Sequence, residues 1–446
     1  MFNKVVVANR GAVAARIIRA LKALNIRSVA VYSEADASAP YLAHADETFQ
    51  IGPAPARESY LNQETLLKVV RESHADGVHP GYGFLSENHG FAQKIEEAGA
   101  CFIGPSAHWI DAMGHKTRAR DLAAQYGLPV GRGSPVLADD SADVMHHAQR
   151  IGFPVLVKPA GGGGGIGMLV ANSALELIAA VERARSMALR GFANSDVYLE
   201  KYLSRPRHIE FQLLGDRYGK VRHLFDRDCS MQRRHQKVIE EACAPAVDRV
   251  QINALAQQVA DIFAQMGYDN IGTVEMLMGA DGTFSFLEMN TRLQVEHGVT
   301  EQITGVDLVA AQIRSAAREH LDDILPRDIR AEGHAIEARI YAEDSKRFLP
   351  SPGKLTTFRP PKGSQIRIET GYAEGGEVTT HYDPLLAKVI AHAPSRAGAI
   401  DALLDAIRNF EVAGVKTNIA ALDIMLSSRQ FRAGDVHTGL VSELIP

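Results

Sequence analysis

The run GTVEMLMGADGTFSFLEMNTRLQVEH, Gly272 to His297, alternates side chains on both sides of an Asp281-Gly282 pair. Asp-Gly is the preferred two-residue hairpin turn, because both central positions take positive φ. If these two residues form the loop, Ala280 pairs with Thr283, and counting back along both arms sets Glu275 opposite Glu288. Their side-chain bases would lie about 5 Å apart on one face. Two facing carboxylates repel unless a cation lies between them. Beyond Glu288, period two puts Asn290, Arg292, Gln294 and Glu296 on the same side of the strand. Three carboxylates, a neutral oxygen donor and an arginine describe a hard-cation site beside an anion site. Oxygen ligands without cysteine suit Mg²⁺ or Mn²⁺ bridging to nucleotide phosphates. A solvated edge strand would also show a polar face, but the alternation sets Phe284 and Phe286 beside Glu288, which argues against solvent.

Upstream, Lys158-Pro159-Ala160 and a run of five glycines, Gly161 to Gly165, follow a short apolar strand at Pro154–Lys158. Consecutive glycines cost backbone entropy, so a spacer alone is a poor account of them here. Such a loop lets backbone N–H groups approach phosphate oxygens, while the preceding lysine supplies a point charge. The spacing matches neither G-x-x-x-x-G-K-[ST] nor G-x-G-x-x-G. Its place after a strand predicts a mobile lid over phosphates, and Lys116 in Met113-Gly114-His115-Lys116 stands at the mouth of the same site.

Further outward, the first hundred residues alternate strand (Lys4–Ala8, Arg27–Tyr32, Cys101–Ile103) and helix (Ala12–Asn25, Gln63–Ser73). That order predicts a doubly wound parallel sheet. Helical spacing recurs at 173–190, 251–266 and 397–409, and strand patterns at 197–202, 208–214 and 334–342. With 446 residues, about three units of 100–200 residues are expected. The boundaries fall at 1–114, 115–325 with a lid at about 131–203, and 333–441. The fold class is therefore α/β, with an α+β central body and a C-terminal mixed α/β unit. Forty-eight basic against 53 acidic side chains give a net charge of −5, which excludes a global basic field for nucleic acid. Cys101, Cys229 and Cys243 are odd in number and form no CxxC pair, which favours a reducing compartment over a structural zinc site. No apolar run approaches a membrane span, and the opening MFNKVVVANRG starts a strand at once, leaving no signal peptide. A cytoplasmic enzyme is expected.

With these residues in view, the chain resembles biotin carboxylase, the ATP-grasp component of biotin-dependent carboxylases, from Met1 to about Leu440. The likeness rests on ANRG (Ala8–Gly11), HPGYGFLSEN (His79–Asn88), KPAGGGGGIGM (Lys158–Met168), RDCSMQRRHQKVIEE (Arg227–Glu241), EMNTRLQVEH (Glu288–His297) and EARIYAED (Glu337–Asp344). The resemblance implies ATP-dependent carboxylation of biotin N1′ by bicarbonate through carboxyphosphate. It places ATP against Lys116, Lys158, Gly164, Gly165, Glu200, Lys201, Tyr202, Leu203, His208, Gln232 and His235, with Glu275 and Glu288. Two divalent metals, Mg²⁺ or Mn²⁺, fall to Glu275, Glu288 and Asn290. Bicarbonate falls to Lys237, Arg292, Gln294 and the backbone of Val295, with Glu296 as the base that Arg292 keeps ionised. Arg339 and Tyr82 would receive biotin. Implied partners are a biotin carrier, a carboxyltransferase component and a second copy of the chain; the carrier is expected elsewhere, because no Met-Lys dipeptide occurs.

Four positions depart from the family pattern. Ala12 stands where an acid is common, Ile166 and Leu169 where basic residues are, and Gly298 where proline is usual, which predicts a looser loop after Glu296. The Gly-Gly-Ile-Gly step and Tyr382–Lys388 look more like the urea-carboxylase branch than the acetyl-CoA type. Arg233 and Arg234 read as solvated charges, and Cys229 and Cys243 as small buried residues.

Overall fold

The computed structural model describes residues 1–161, 167–192 and 194–445. The chain begins with a parallel five-stranded sheet: β1 (Lys4–Val7), β2 (Arg27–Tyr32), β3 (Glu47–Gln50), β4 (Gly77–His79) and β5 (Cys101–Phe102), in the order β3-β2-β1-β4-β5. Val5 and Val7 enter one core with Ile17 and Leu21, while Val6 enters another with Val29, Val78 and Phe91. Burial on both faces explains the continuous valine run. The strand order reverses between β1 and β4, where open α/β sheets form their crevice. There the Asn9 side chain donates to the carbonyls of Pro80 (2.7 Å) and Tyr82 (2.8 Å), tying the two strand ends together.

A small antiparallel sheet follows, β6 (Val155–Pro159), β7 (Leu169–Ala171) and β8 (Val197–Lys201), ordered β7-β6-β8 and backed by helices Ser141–Ile151 and Ala174–Phe192. Leu169 pairs with Val157 and packs on that core, so the residue that replaces a family basic side chain serves the apolar interior of the lid.

The central body contributes β9 (Arg207–Gly215), β10 (Val221–Arg233), β11 (Gln236–Ala242), β12 (Ile271–Met278) and β13 (Phe284–Asn290). The C-terminal part adds β14 (His334–Tyr341), β15 (Gly353–Lys354), β16 (Thr357–Arg359), β17 (Ile366–Thr370), β18 (Glu377–Val378), β19 (Leu385–Ala393) and β20 (Glu411–Ala413). β15 pairs with β18 and β16 with β20, while β14, β17 and β19 join the central strands in one antiparallel sheet, β13-β12-β9-β10-β11-β14-β19-β17. The two units expected from the sequence therefore share a single eight-stranded sheet.

The hairpin pairs as expected at its far end, with Glu275 opposite Glu288, but not at its turn. The Gly279 N–H donates to the Thr283 carbonyl (2.8 Å), so the loop holds three residues, with Gly282 at φ +77° and Asp281 not at positive φ. The Asp281 carboxylate accepts from the Thr283 N–H (3.1 Å) and hydroxyl (2.6 Å), which closes this longer turn. A bulge at Leu287 then takes up the extra residue and restores the Glu275–Glu288 pair. Because Phe286 faces Met276, the two aromatics belong to the opposite face: Phe286 is buried with Met276 and Met289, and Phe284 packs beside them. The phenylalanines thus build the core and do not flank the carboxylates.

The strand also stops sooner than period two predicts. β13 ends at Asn290, Leu293 turns into the core beneath the N-terminal sheet, and the helix His297–Thr304 begins directly after Glu296. Gly298 lies buried in its first turn, where a Cβ would meet Ile390 Cδ1 at 2.4 Å. The segment is closely packed, not looser.

Candidate active site

A cavity of about 1400 Å³ opens between the carboxyl ends of β1 and β4, the lid sheet, the hairpin and β14. Every described residue that the sequence assigns to the site lines it; Gly164 and Gly165 lie outside the described residues.

The centre is Lys237 near the start of β11. Its Nζ donates to Glu210 (2.6 Å), Glu275 (2.8 Å) and Glu296 (2.7 Å), which belong to β9, β12 and the segment after β13. Burial alone would lower the pKa of this ammonium, yet Glu210, Glu275 and Glu296 hold it well above its ordinary value. Burial likewise works against ionisation of Glu296, but Lys237, then Arg339 and Arg227, outweigh it and keep the carboxyl well below the usual range. Arg339 on β14 reaches Glu296 at 2.9 Å and Glu240 on β11 at 2.5 Å.

Arg292 does not take one part expected of it, that of holding Glu296 ionised. Having left the strand, its guanidinium donates to Glu87 (2.9 Å), Asn290 (2.8 Å) and the Gln294 side chain (3.0 Å). Glu296 is held ionised first by Lys237, not by Arg292. Arg292 instead bridges the hairpin to the loop that ends HPGYGFLSEN.

At the nucleotide end, Lys158 donates to Glu200 (2.8 Å), and Lys201 is committed to the backbone carbonyls of Gly152 (2.9 Å) and Phe153 (2.8 Å). Tyr202, Leu203 and His235 line the cavity beyond. His208 shares a hydrogen bond with Gln232 (2.8 Å) and lies 3.0 Å from Glu275.

Among the described residues, His208, Glu210 and Glu275 bring possible ligand atoms within 4.8 Å of one another. Lys237 already fills the cage of Glu210, Glu275 and Glu296, so that set is not an open cation site. The Glu275–Glu288 pair fits a divalent ion better: the two carboxylates oppose each other across the hairpin, and Lys116 approaches Glu288 only to 3.5 Å. Asn290 beside them supplies a neutral oxygen, now accepting from Arg292, and its amide nitrogen has no partner. An all-oxygen donor set suits Mg²⁺.

Sequence reasoning passed over Glu87, Glu210, Arg227 and Glu240. Glu210 was within reach, because His208, Glu210 and Gln212 alternate with Ile209, Phe211 and Leu213. Arg233, read as solvated, is buried against Glu343 (2.9 Å) and Phe348, whereas Arg234 is exposed. Cys229 is buried with Sγ 3.8 Å from Glu296; Cys243 is half-buried, and burial pushes its thiol up to about 12.

Residues 1–110 match the family described as biotin carboxylase N-terminal domain, and 337–443 match the biotin carboxylase C-terminal domain. Residues 115–324 match the ATP-binding domain of the carbamoyl-phosphate synthase L chain. A biotin carboxylase of Halalkalibacterium halodurans is 46% identical over 442 residues, covering 99% of this chain and 98% of the relative. The chain belongs to the biotin carboxylase family. Biotin carboxylase 2 of Bacillus subtilis is 45% identical over 443 residues, covering 99% of this chain and 100% of the relative. Among solved structures, the biotin carboxylase domain dimer of Hydrogenobacter thermophilus 2-oxoglutarate carboxylase, in complex with MgADP, ADP and bicarbonate, superposes with a TM-score of 0.95. It is 43% identical and covers 99% of this chain and 98% of that one. The biotin carboxylase fold thus accounts for the parallel N-terminal sheet and the antiparallel body described above.

Proposed function

We propose that the chain catalyses the first half-reaction of a biotin-dependent carboxylase, in which ATP and bicarbonate carboxylate biotin N1′ and give ADP and phosphate. The observation that carries this reading is the junction at Lys237, where the carboxylate hairpin, the ionised Glu296 and Arg339 meet in one cavity. Bound Mg²⁺ at Glu275, Glu288 and Asn290 would neutralise charge on the phosphoryl oxygens, as phosphoryl transfer requires. Lys116 and Lys158 stand at the phosphate end, with Glu200 to Leu203, His208, Gln232 and His235 around the nucleotide. Lys237, Arg292, Gln294 and the Val295 backbone hold bicarbonate, and Glu296 takes its proton as an oxygen attacks the γ-phosphorus and ADP departs. An arriving bicarbonate and triphosphate bring negative charge to Lys237, drawing that cation off Glu296 and raising its proton affinity toward that of a working base. Carboxyphosphate then breaks to CO₂ and phosphate in a site that must exclude water. Arg339 meets the ureido oxygen of biotin, with Tyr82 at the strand switch beside it.

The matched segments support division at 1–114, 115–325 and 333–441. The absence of Met-Lys in the sequence supports a carrier outside it, served by a separate carboxyltransferase. The dimeric relative supports pairing of two copies. The lean toward a urea-type acceptor rests on the Gly-Gly-Ile-Gly step and residues 382–388 alone. Among the described residues no helix is long and apolar enough to cross a membrane, and the three cysteines are unpaired, in keeping with a reducing cytoplasm.

Purified protein given MgATP should release ADP only when both free biotin and bicarbonate are present. Glu296→Gln should slow that release by about 100-fold or more. ATP binding without biotin-stimulated ADP release would overturn the assignment.

A further inference from the structure

The run Tyr382-Asp383-Pro384-Leu385-Leu386-Ala387-Lys388 has no part in the chemistry above. Its last residue lies on β19, between β14 and β17, and is fully buried. The Lys388 ammonium donates to the Val295 carbonyl at 2.5 Å and lies 2.8 Å from Glu369 and 3.4 Å from Glu337. Burial disfavours its charge, but Glu337 and Glu369 outweigh that and keep it protonated. Glu369 is shared with Arg367 and Arg16, so it remains paired even without the lysine.

Val295 sits at the centre of the tight turn Gln294–His297. The peptide before it is held at the Gln294 oxygen, which accepts from His297 Nδ1 at 2.7 Å. The peptide after it is held at the Val295 oxygen by Lys388. A peptide unit is planar, so fixing its oxygen also fixes the N–H and the next Cα. The first plane carries the Val295 N–H, and the second carries the Cα of Glu296.

We propose that Lys388 is a positioning residue for bicarbonate, holding the Val295–Glu296 peptide so that the Val295 backbone and the Glu296 carboxylate converge on one anion. The proposal rests on the assignment of bicarbonate to Val295 and Glu296. Such positioning matters because a displacement of about 1 Å at a reacting group can cost about 100-fold in rate. No atom of Lys388 touches the substrates in this arrangement.

The test is steady-state ATP cleavage by the full chain with free biotin, varying bicarbonate and ATP separately. Lys388→Met should raise the bicarbonate KM about tenfold or more while the ATP KM moves by less than about twofold, and Lys388→Arg should recover most of the loss. Lys388→Met/Glu337→Gln removes one group of each sign and serves as the second variant should the single one fail to fold. Stabilisation by MgADP in thermal unfolding reports an intact nucleotide site in each. An unchanged bicarbonate KM in a folded variant would overturn the proposal, as would parallel rises in both KM values. Failure of both variants to fold would also overturn it, because the lysine would then hold the domain and not the turn. A wild-type chain that ignores biotin and bicarbonate would instead sink the underlying reading.

Discussion

Arg227 exposes no surface, and its guanidinium is spoken for on every side: Glu210 at 2.5 Å, Gln212 at 2.9 Å, Thr300 at 2.8 Å and Thr273 at 3.3 Å. It also helps hold Glu296 ionised, so stability and chemistry meet in one side chain. Removing one member of a buried pair leaves the other charge without compensation, at a cost of about 3–5 kcal/mol. Arg227→Met should lower the unfolding free energy in denaturant by that amount, and adding Glu210→Gln should restore part of it. A single-variant loss below about 1 kcal/mol would refute this account. At this scale the sequence was readable where partners share one hairpin, as Glu275 and Glu288 do. It was silent where partners come from separate segments, as with Arg227, Lys388 and Glu87. Arg233 reads as solvated because nothing local shows that Glu343 and Phe348 close over it.

β11 and β14 place Glu240 directly opposite Glu337, both fully buried. Burial pushes Glu240 up to about 8, with Arg339 opposing, and Glu337 up to about 7, with Lys388 opposing. Each carboxyl keeps a proton in the folded state over a range where the unfolded chain has lost it. The native state then binds more protons, so the stability these groups contribute is full below the ordinary carboxylate range and lost as pH climbs through about 7–8. The thermal midpoint should fall as pH rises from about 6 to 9, and fall less in Glu240→Gln. Identical slopes in calorimetry would rule out a raised Glu240. The hairpin gives the other lesson at this scale. Its catalytic register was legible from an Asp-Gly pair, yet the true loop is one residue longer and Leu287 bulges to compensate. Bulges answer to the packing of the finished sheet, here Phe286 on Met276 and Met289, and period two alone cannot announce them.

The molecule as a whole is joined by the sheet that runs from β13 to β17, crossing from the central body into the C-terminal part through β11 and β14. Strands in one ladder share hydrogen bonds and should open together. Hydrogen exchange should therefore show β9 to β12 protected to the same degree as β14 and β19, with the three-stranded lid sheet exchanging sooner. Independent opening of β14 and β19 would contradict a shared unit. The sequence by itself determined the parallel N-terminal sheet, the facing carboxylates and the family, because turn chemistry, side-chain periodicity and contiguous motifs are local properties. Only the tertiary structure decided that Lys237 joins three carboxylates, that Arg292 serves Glu87 while Lys237 and Arg339 serve Glu296, and that two expected units share one sheet. Those outcomes depend on which distant groups share a dry interior, where an unpaired charge is costly and each buried cation must find its carboxylate.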